Sequence, residues 1–123
     1  MPRDYKKIKA WQFADTVVIK IYTLTRSFPR EELYGLCSQI RRAAISVASN
    51  IAEGAGRVHK KEYLNFLYIA KGSLAEVDYL CYFSNQIGYI NQFEYSDTKQ
   101  LLENTTKTLA GLIKSVAKEV DND

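Results

Sequence analysis

The sequence has one histidine, two cysteines, two prolines and no long apolar run among its 123 residues. Each scarcity removes a class of protein. His59 stands alone, no Glu-x-x-His pair occurs, and neither cysteine has the spacing of a zinc-ligand pair. A metal site in a bundle core is therefore not expected. The longest apolar stretches are a few residues, too short to span a bilayer, so no membrane partner is expected. The opening Met-Pro-Arg-Asp-Tyr-Lys-Lys is basic with no apolar run behind it. No signal peptide is expected, and the expected compartment is the cytoplasm. Cys37 and Cys81 fall at apolar helical positions and read as reduced core residues rather than a disulfide.

What is present suits one globular domain. The chain is 46% hydrophobic and 25% charged, with a net charge of +3. The charge is uneven: residues 1–30 carry seven Lys/Arg against two Asp/Glu, a surplus of +5. Such asymmetry permits an anionic partner without demanding one.

No sustained strand alternation occurs, and apolar residues recur at intervals of three and four. Trp11, Ala14, Val17, Val18, Ile21, Leu24 and Phe28 form one broad stripe, predicting a helix from about Tyr5 to Ser27 that Phe28-Pro29 ends. A second helix is expected from about Glu31 to Ala55, with Gly54 and Gly56 as its left-handed stop. A third is expected from about His59 to Ile87, closed by Gly88, and a fourth from an N-cap at Ser96 to about Val120. The fourth carries the stripe Leu102, Thr105, Leu109, Leu112, Ile113, Val116 and Val120. Short connections between long helices predict an all-α, antiparallel up-down-up-down four-helix bundle in a single domain, 1–123.

Two of these helices have more than one distinctive face. At 100° per residue the second separates into three sectors. Leu33, Leu36, Ile40, Ala43, Ala44, Val47 and Ile51 form a core sector. Arg41, Ile45, Ala48 and Ala52, with Tyr34, form a second sector rich in small residues. Gln39, Arg42, Ser46, Asn50, Glu53 and Arg57 form a polar line, joined at its edge by Ser49. Short polar residues with isolated charges suit a hydrogen-bonded contact. Packing against a neighbouring helix, a ligand or nucleic-acid contact, and a solvated face all remain open for this line. The third helix carries the core stripe Tyr63, Phe66, Ala70, Leu74, Val77, Cys81 and Ser84. Opposite it lie Leu64, Tyr68, Ala75, Tyr79, Tyr82 and Phe83 around Gly72. An apolar back on a four-helix bundle has no neighbour within the chain, so this side is the expected homo-oligomer interface. Arg42 and Glu76 lie at the edges of their core stripes and are expected to approach each other.

No catalytic constellation emerges. Gly54-Ala55-Gly56 lacks the spacing of a phosphate loop, and no serine sits in a nucleophile elbow. Glu53 and Glu76 would serve as an acid–base pair only if brought into one cleft with His59. No enzyme and no cofactor are expected. For nucleic acid the candidates are Arg3, Lys6, Lys7 and Lys9, the turn cluster Arg57, Lys60 and Lys61, and Arg41 with Arg42. These are phosphate-binding charges that read no sequence.

The run Phe28-Pro29-Arg30-Glu31-Glu32-Leu33-Tyr34-Gly35-Leu36 leads through Gln39-Ile40-Arg41-Arg42-Ala43 and Ser46-Val47-Ala48-Ser49-Asn50-Ile51-Ala52-Glu53-Gly54 to Arg57. Together with Gly72-Ser73-Leu74-Ala75-Glu76 it resembles the four-helix bundle proteins encoded in intervening sequences of bacterial 23S ribosomal RNA genes. The likeness runs from about Trp11 to Ile90, and the fourth helix matches only in pattern. The resemblance implies a homopentamer with RNA or DNA as its partner. It also implies kinship to the accessory variability determinant of diversity-generating retroelements, which binds a reverse transcriptase. Ala48 departs from the proline of many relatives, which should straighten the second helix without changing the fold. The short, weakly basic C-terminal region gives little support to the accessory role. The resulting expectation is a non-enzymatic, homo-oligomeric, nucleic-acid-binding bundle, with a protein-interaction scaffold as the alternative.

Overall fold

The computed structural model describes residues 3–122, so the first two residues of the N-terminal segment lie outside the described residues. Among the described residues there are four α-helices: α1 (Lys9–Thr25), α2 (Leu36–Ala55), α3 (Lys60–Gln86) and α4 (Gln92–Asp121). No strand occurs among the described residues. Each helix packs on two others in a closed circuit, α1 on α2, α2 on α3, α3 on α4 and α4 on α1. With short connections this circuit is the all-α, up-down-up-down bundle.

The core is built from one stripe per helix. Ala14, Val17 and Ile21 of α1 meet Ile40, Ala44, Val47 and Ile51 of α2. Leu67, Ala70, Leu74 and Val77 of α3 and Leu102, Leu109 and Val116 of α4 close it. Four hydroxyls are buried with them, and each donates to a carbonyl four residues back: Thr25 to Ile21, Ser84 to Leu80, Thr98 to Glu94 and Thr105 to Leu101, all at 2.7 Å. Burying them therefore leaves no unpaired donor.

Helix ends depart from expectation for local reasons. Tyr5–Lys7 is a separate 3-10 turn, because the Asp4 carboxylate accepts from the Lys6 backbone N–H at 3.1 Å and Ile8 is extended. A second 3-10 turn, Arg30–Glu32, is separated from α2 by Gly35. The wheel of α2 therefore does not continue back to Leu33, which is exposed rather than in the core. The fourth helix starts at Gln92 instead of Ser96. Asn91 and Glu94 form a reciprocal capping box, Asn91 Oδ1 accepting from Glu94 N–H at 2.7 Å and Glu94 Oε1 from Asn91 N–H at 3.0 Å.

The glycines at the end of α2 act differently from expectation. Gly56 ends the helix in a right-handed conformation, and Gly54 lies inside it. A Cβ on Gly54 would come within 2.7 Å of Phe66 Cβ and 3.0 Å of Tyr63 Cδ1. Gly54 is thus a close-approach point between α2 and α3 rather than a left-handed stop. Gly88, at φ +83°, is the position that needs glycine for its conformation, and it closes α3 as expected. On α3, Leu67 and Leu80 are buried, whereas Phe66 is only half-buried because it sits in the α2–α3 seam. On α4, Leu112, Ile113 and Val120 are half-buried at the edge of the core.

Candidate nucleic-acid interface and the polar groove

The N-terminal segment closes one end of the bundle. The Arg3 backbone N–H donates to the Ala55 carbonyl at 3.3 Å. Its guanidinium reaches the carbonyls of Ala55 (3.4 Å) and Arg57 (3.2 Å) and sits 4.4 Å from the centre of the Tyr63 ring. A cation over the open carbonyls of a helix C-terminus is favourable, so Arg3 is chiefly a cap for α2. Its anchoring brings Lys6, Lys7 and Lys9 to the end of the bundle where Arg57 follows α2 and Lys60 and Lys61 open α3. Lys6, Lys7, Lys9 and Lys61 are exposed. Lys60 Nζ lies 4.0 Å from Glu119, which brings in the C-terminal end of α4. Arg57 is held by Glu53 at 3.2 Å, lies 3.9 Å from Glu62, and stacks 4.8 Å over Phe66.

Arg41 and Arg42 do not join this cluster. Arg41 donates from Nε to Thr25 Oγ1 at 2.8 Å and lies 4.7 Å over Tyr22, next to the far end of α1. It packs α2 onto α1, as does the small-residue sector: Ala48 and Ala52 line a shallow groove with Tyr5, Trp11 and Val18.

The polar line on α2 faces α3. Ser46 Oγ and Ser73 Oγ are hydrogen-bonded at 2.7 Å across the two helices. Asn50 Nδ2 donates to the Ser46 carbonyl (2.8 Å) and to its Oγ (3.0 Å). Gln39 Nε2 donates to Glu76 Oε2 at 3.3 Å. Beside these contacts an open groove of about 480 Å³ is lined by Tyr34, Gly35, Ser38, Gln39, Arg42, Ala43, Ser46, Ser73 and Glu76. Arg42 and Glu76 therefore share one groove, but no ion pair within 4.0 Å joins them among the described residues. Glu76 turns to Gln39 instead. Ser38, four residues before Arg42 on α2, lies beside it on the same helix face.

On the outer side of α3, Tyr68, Tyr79, Tyr82 and Phe83 are exposed, and Leu64 is half-buried. Tyr79 stacks on Phe83 with ring centres 6.3 Å apart. Nothing lies within 4 Å of the place where a Gly72 side chain would begin, and Ala75 is exposed nearby. The Tyr79, Tyr82 and Phe83 rings thus form one exposed aromatic cluster, with Tyr68 exposed nearer the start of α3.

Groups that would be needed for catalysis lie apart. Glu53 pairs with Arg57 near the end of α2, whereas Glu76 lines the groove with Gln39. His59 precedes α3 and is exposed. Among the described residues no cluster of His, Cys, Asp and Glu could hold a metal ion. Cys37 and Cys81 are buried free thiols. Burial pushes the Cys81 thiol up to about 12, with Asp78 adding to the effect. No helix is long and apolar enough to cross a membrane among the described residues.

The sequence pattern of the 23S rRNA-intervening sequence protein family matches residues 6–111. Among solved structures, the chain is similar to a protein of unknown function from the S23 ribosomal protein family of Bacteroides thetaiotaomicron. The two are 22% identical over 85% of this chain and 95% of that one, with a TM-score of 0.78. At that identity the likeness speaks to the fold. No curated protein matches.

Proposed function

The chain belongs to the 23S rRNA-intervening sequence protein family, and on that premise we propose that it is a non-enzymatic, homo-oligomeric bundle that binds the phosphate backbone of RNA or DNA. The observation that carries this reading is the convergence of two basic segments, distant in sequence, at one end of the bundle. Lys6, Lys7 and Lys9 come from the N-terminal segment and Lys61 from the start of α3, and all four side chains are exposed. Arg3 holds the two segments together through the Ala55 and Arg57 carbonyls. Exposed lysines without a rigid fork suit phosphate contacts that ignore sequence. Homo-oligomerisation through the aromatic side of α3 would repeat the basic end around an axis and raise avidity without new contacts.

Fluorescence anisotropy with a structured RNA and a duplex DNA, at low and moderate salt, tests the reading. Affinity should fall steeply with salt and collapse in the combined Lys6→Glu, Lys7→Glu, Lys61→Glu variant. Absence of binding at low salt would sink it, because backbone charge contacts are strongest there.

A second reading, a protein-interaction scaffold, draws support from the exposed aromatic face around Tyr79 and Tyr82. A protein partner retained after nuclease treatment, together with no affinity for nucleic acid, would favour it.

A further inference from the structure

The groove between α2 and α3 sets opposite charges on opposite walls without closing them into an ion pair. Arg42 stands on the α2 wall and Glu76 on the α3 wall. Among the described residues Arg42 makes no hydrogen bond or ion pair, and Glu76 uses only Oε2, toward Gln39. We propose that this groove binds a small zwitterion, an amino acid whose carboxylate is held by Arg42 and whose ammonium is held by Glu76.

Three features carry the assignment. The first is size: about 480 Å³ of open, mostly polar space falls within the usual range for small-molecule sites. The second is charge balance. A polyanion drawn to Arg42 would be repelled by Glu76, and a simple cation would meet the reverse. Only a ligand bearing both signs gains from both walls. The guanidinium offers a planar donor fork that matches a carboxylate, and the Glu76 carboxylate has acceptor capacity left for an ammonium. The third is rigidity. The Ser46–Ser73 hydrogen bond, backed by Asn50, ties the two walls together below the charges. The separation of the two helix walls, from which the guanidinium and carboxylate extend, is therefore set before a ligand arrives, which lowers the ordering cost of binding to that of the two side chains. Ser38 and the exposed Tyr34 add hydroxyls at the rim.

Saturation-transfer NMR on the full chain tests the proposal. The probes are glycine, 4-aminobutanoate and 6-aminohexanoate, which separate the two charges by increasing lengths, each with its N-acetyl and carboxamide analogue. At least one zwitterion should bind, and its two single-charge analogues should bind about tenfold more weakly, since each loses a charge-assisted contact. Arg42→Gln and Glu76→Gln should each weaken that zwitterion by a similar factor. Both positions are exposed, and thermal melts verify that the variants fold; the analogue series decides the question independently of them. Equal binding of zwitterion and analogues would overturn the proposal. So would no binding at tens of millimolar, or binding that survives both substitutions. The lysine variant used for nucleic acid leaves this groove intact, so failure of one reading is distinguishable from failure of the other.

Discussion

Gly54 on α2 lies so close to Phe66 on α3 that a single added carbon would stand 2.7 Å from the Phe66 Cβ. This contact sets how near the two helices come, at the end of the bundle where Arg57 also covers the Phe66 ring. Gly54→Ala should therefore destabilise the protein by about 1–3 kcal/mol despite the better helix propensity of alanine. Gly111→Ala, where nothing lies within 4 Å, should instead stabilise by about 0.5–1 kcal/mol. Chemical denaturation of the two variants checks the pair, and a stable Gly54→Ala protein would contradict the close packing.

Arg3 and the neighbouring lysines should separate in experiment. Arg3→Ala removes a cation from the C-terminus of α2 and from the face of Tyr63, at a cost of about 1 kcal/mol in stability. Lys6→Ala and Lys7→Ala, both at exposed positions, should leave the melting temperature nearly unchanged. If the basic end binds phosphates, each lysine lost should lower the slope of log affinity against log salt by about 0.9 on duplex DNA. Thermal melts and salt titrations measure the two effects independently.

The aromatic side of α3 makes a prediction about mass. Tyr79→Glu with Tyr82→Glu places two charges on an exposed aromatic surface, so the folded chain should keep its helical signal. If copies associate there, light scattering should show the parent as an oligomer and the double variant as a monomer. An unchanged mass would move the interface elsewhere, with the α1–α2 groove at Trp11 and Ala52 next in line.

Stability should be lost on the alkaline side. Burial raises Cys81 to about 12 from 9.0, burial also raises Tyr63, and the hydrogen bond to Asp78 raises Lys99. For each, the folded state holds its proton after the unfolded state has released it. The contribution is complete below the unfolded value and disappears as pH climbs toward the folded one. Denaturation midpoints should be flat near pH 8 and decline between about pH 9 and 12. In the same window the Cys81 thiol should stay unreactive to a thiol reagent until the chain unfolds, because the thiolate is the nucleophile.

Much of the fold was legible because burial leaves a periodic trace. Val17 and Ile21, or Leu102 and Leu109, recur at helical spacing because one face of each helix meets the core. Helix ends were less legible where side chains rather than periodicity define them. Asn91 and Glu94 carry the spacing of a capping box, yet they precede the apolar stripe of α4, whose periodicity points to Ser96 instead. Leu33 has the spacing of a core residue only if α2 continues across Gly35, where the helix has not begun.

The site divides along the same line. Residue types alone identified the polar line of α2, the basic segments and the aromatic back of α3, since each is a pattern along one helix or one stretch of chain. Which of these patterns meet depends on which faces oppose each other across helices, and periodicity within one helix carries no such information. Tertiary packing placed Arg3 on the end of α2, removed Arg41 to the seam with α1, and set Ser46 against Ser73. It also left Arg42 and Glu76 in one groove without an ion pair between them. The sequence by itself determined four amphipathic helices, because local spacing encodes a buried face, and its motif residues carried the family likeness. Only the tertiary structure decided which charges were consumed by packing, because that depends on distances between helices far apart in the chain.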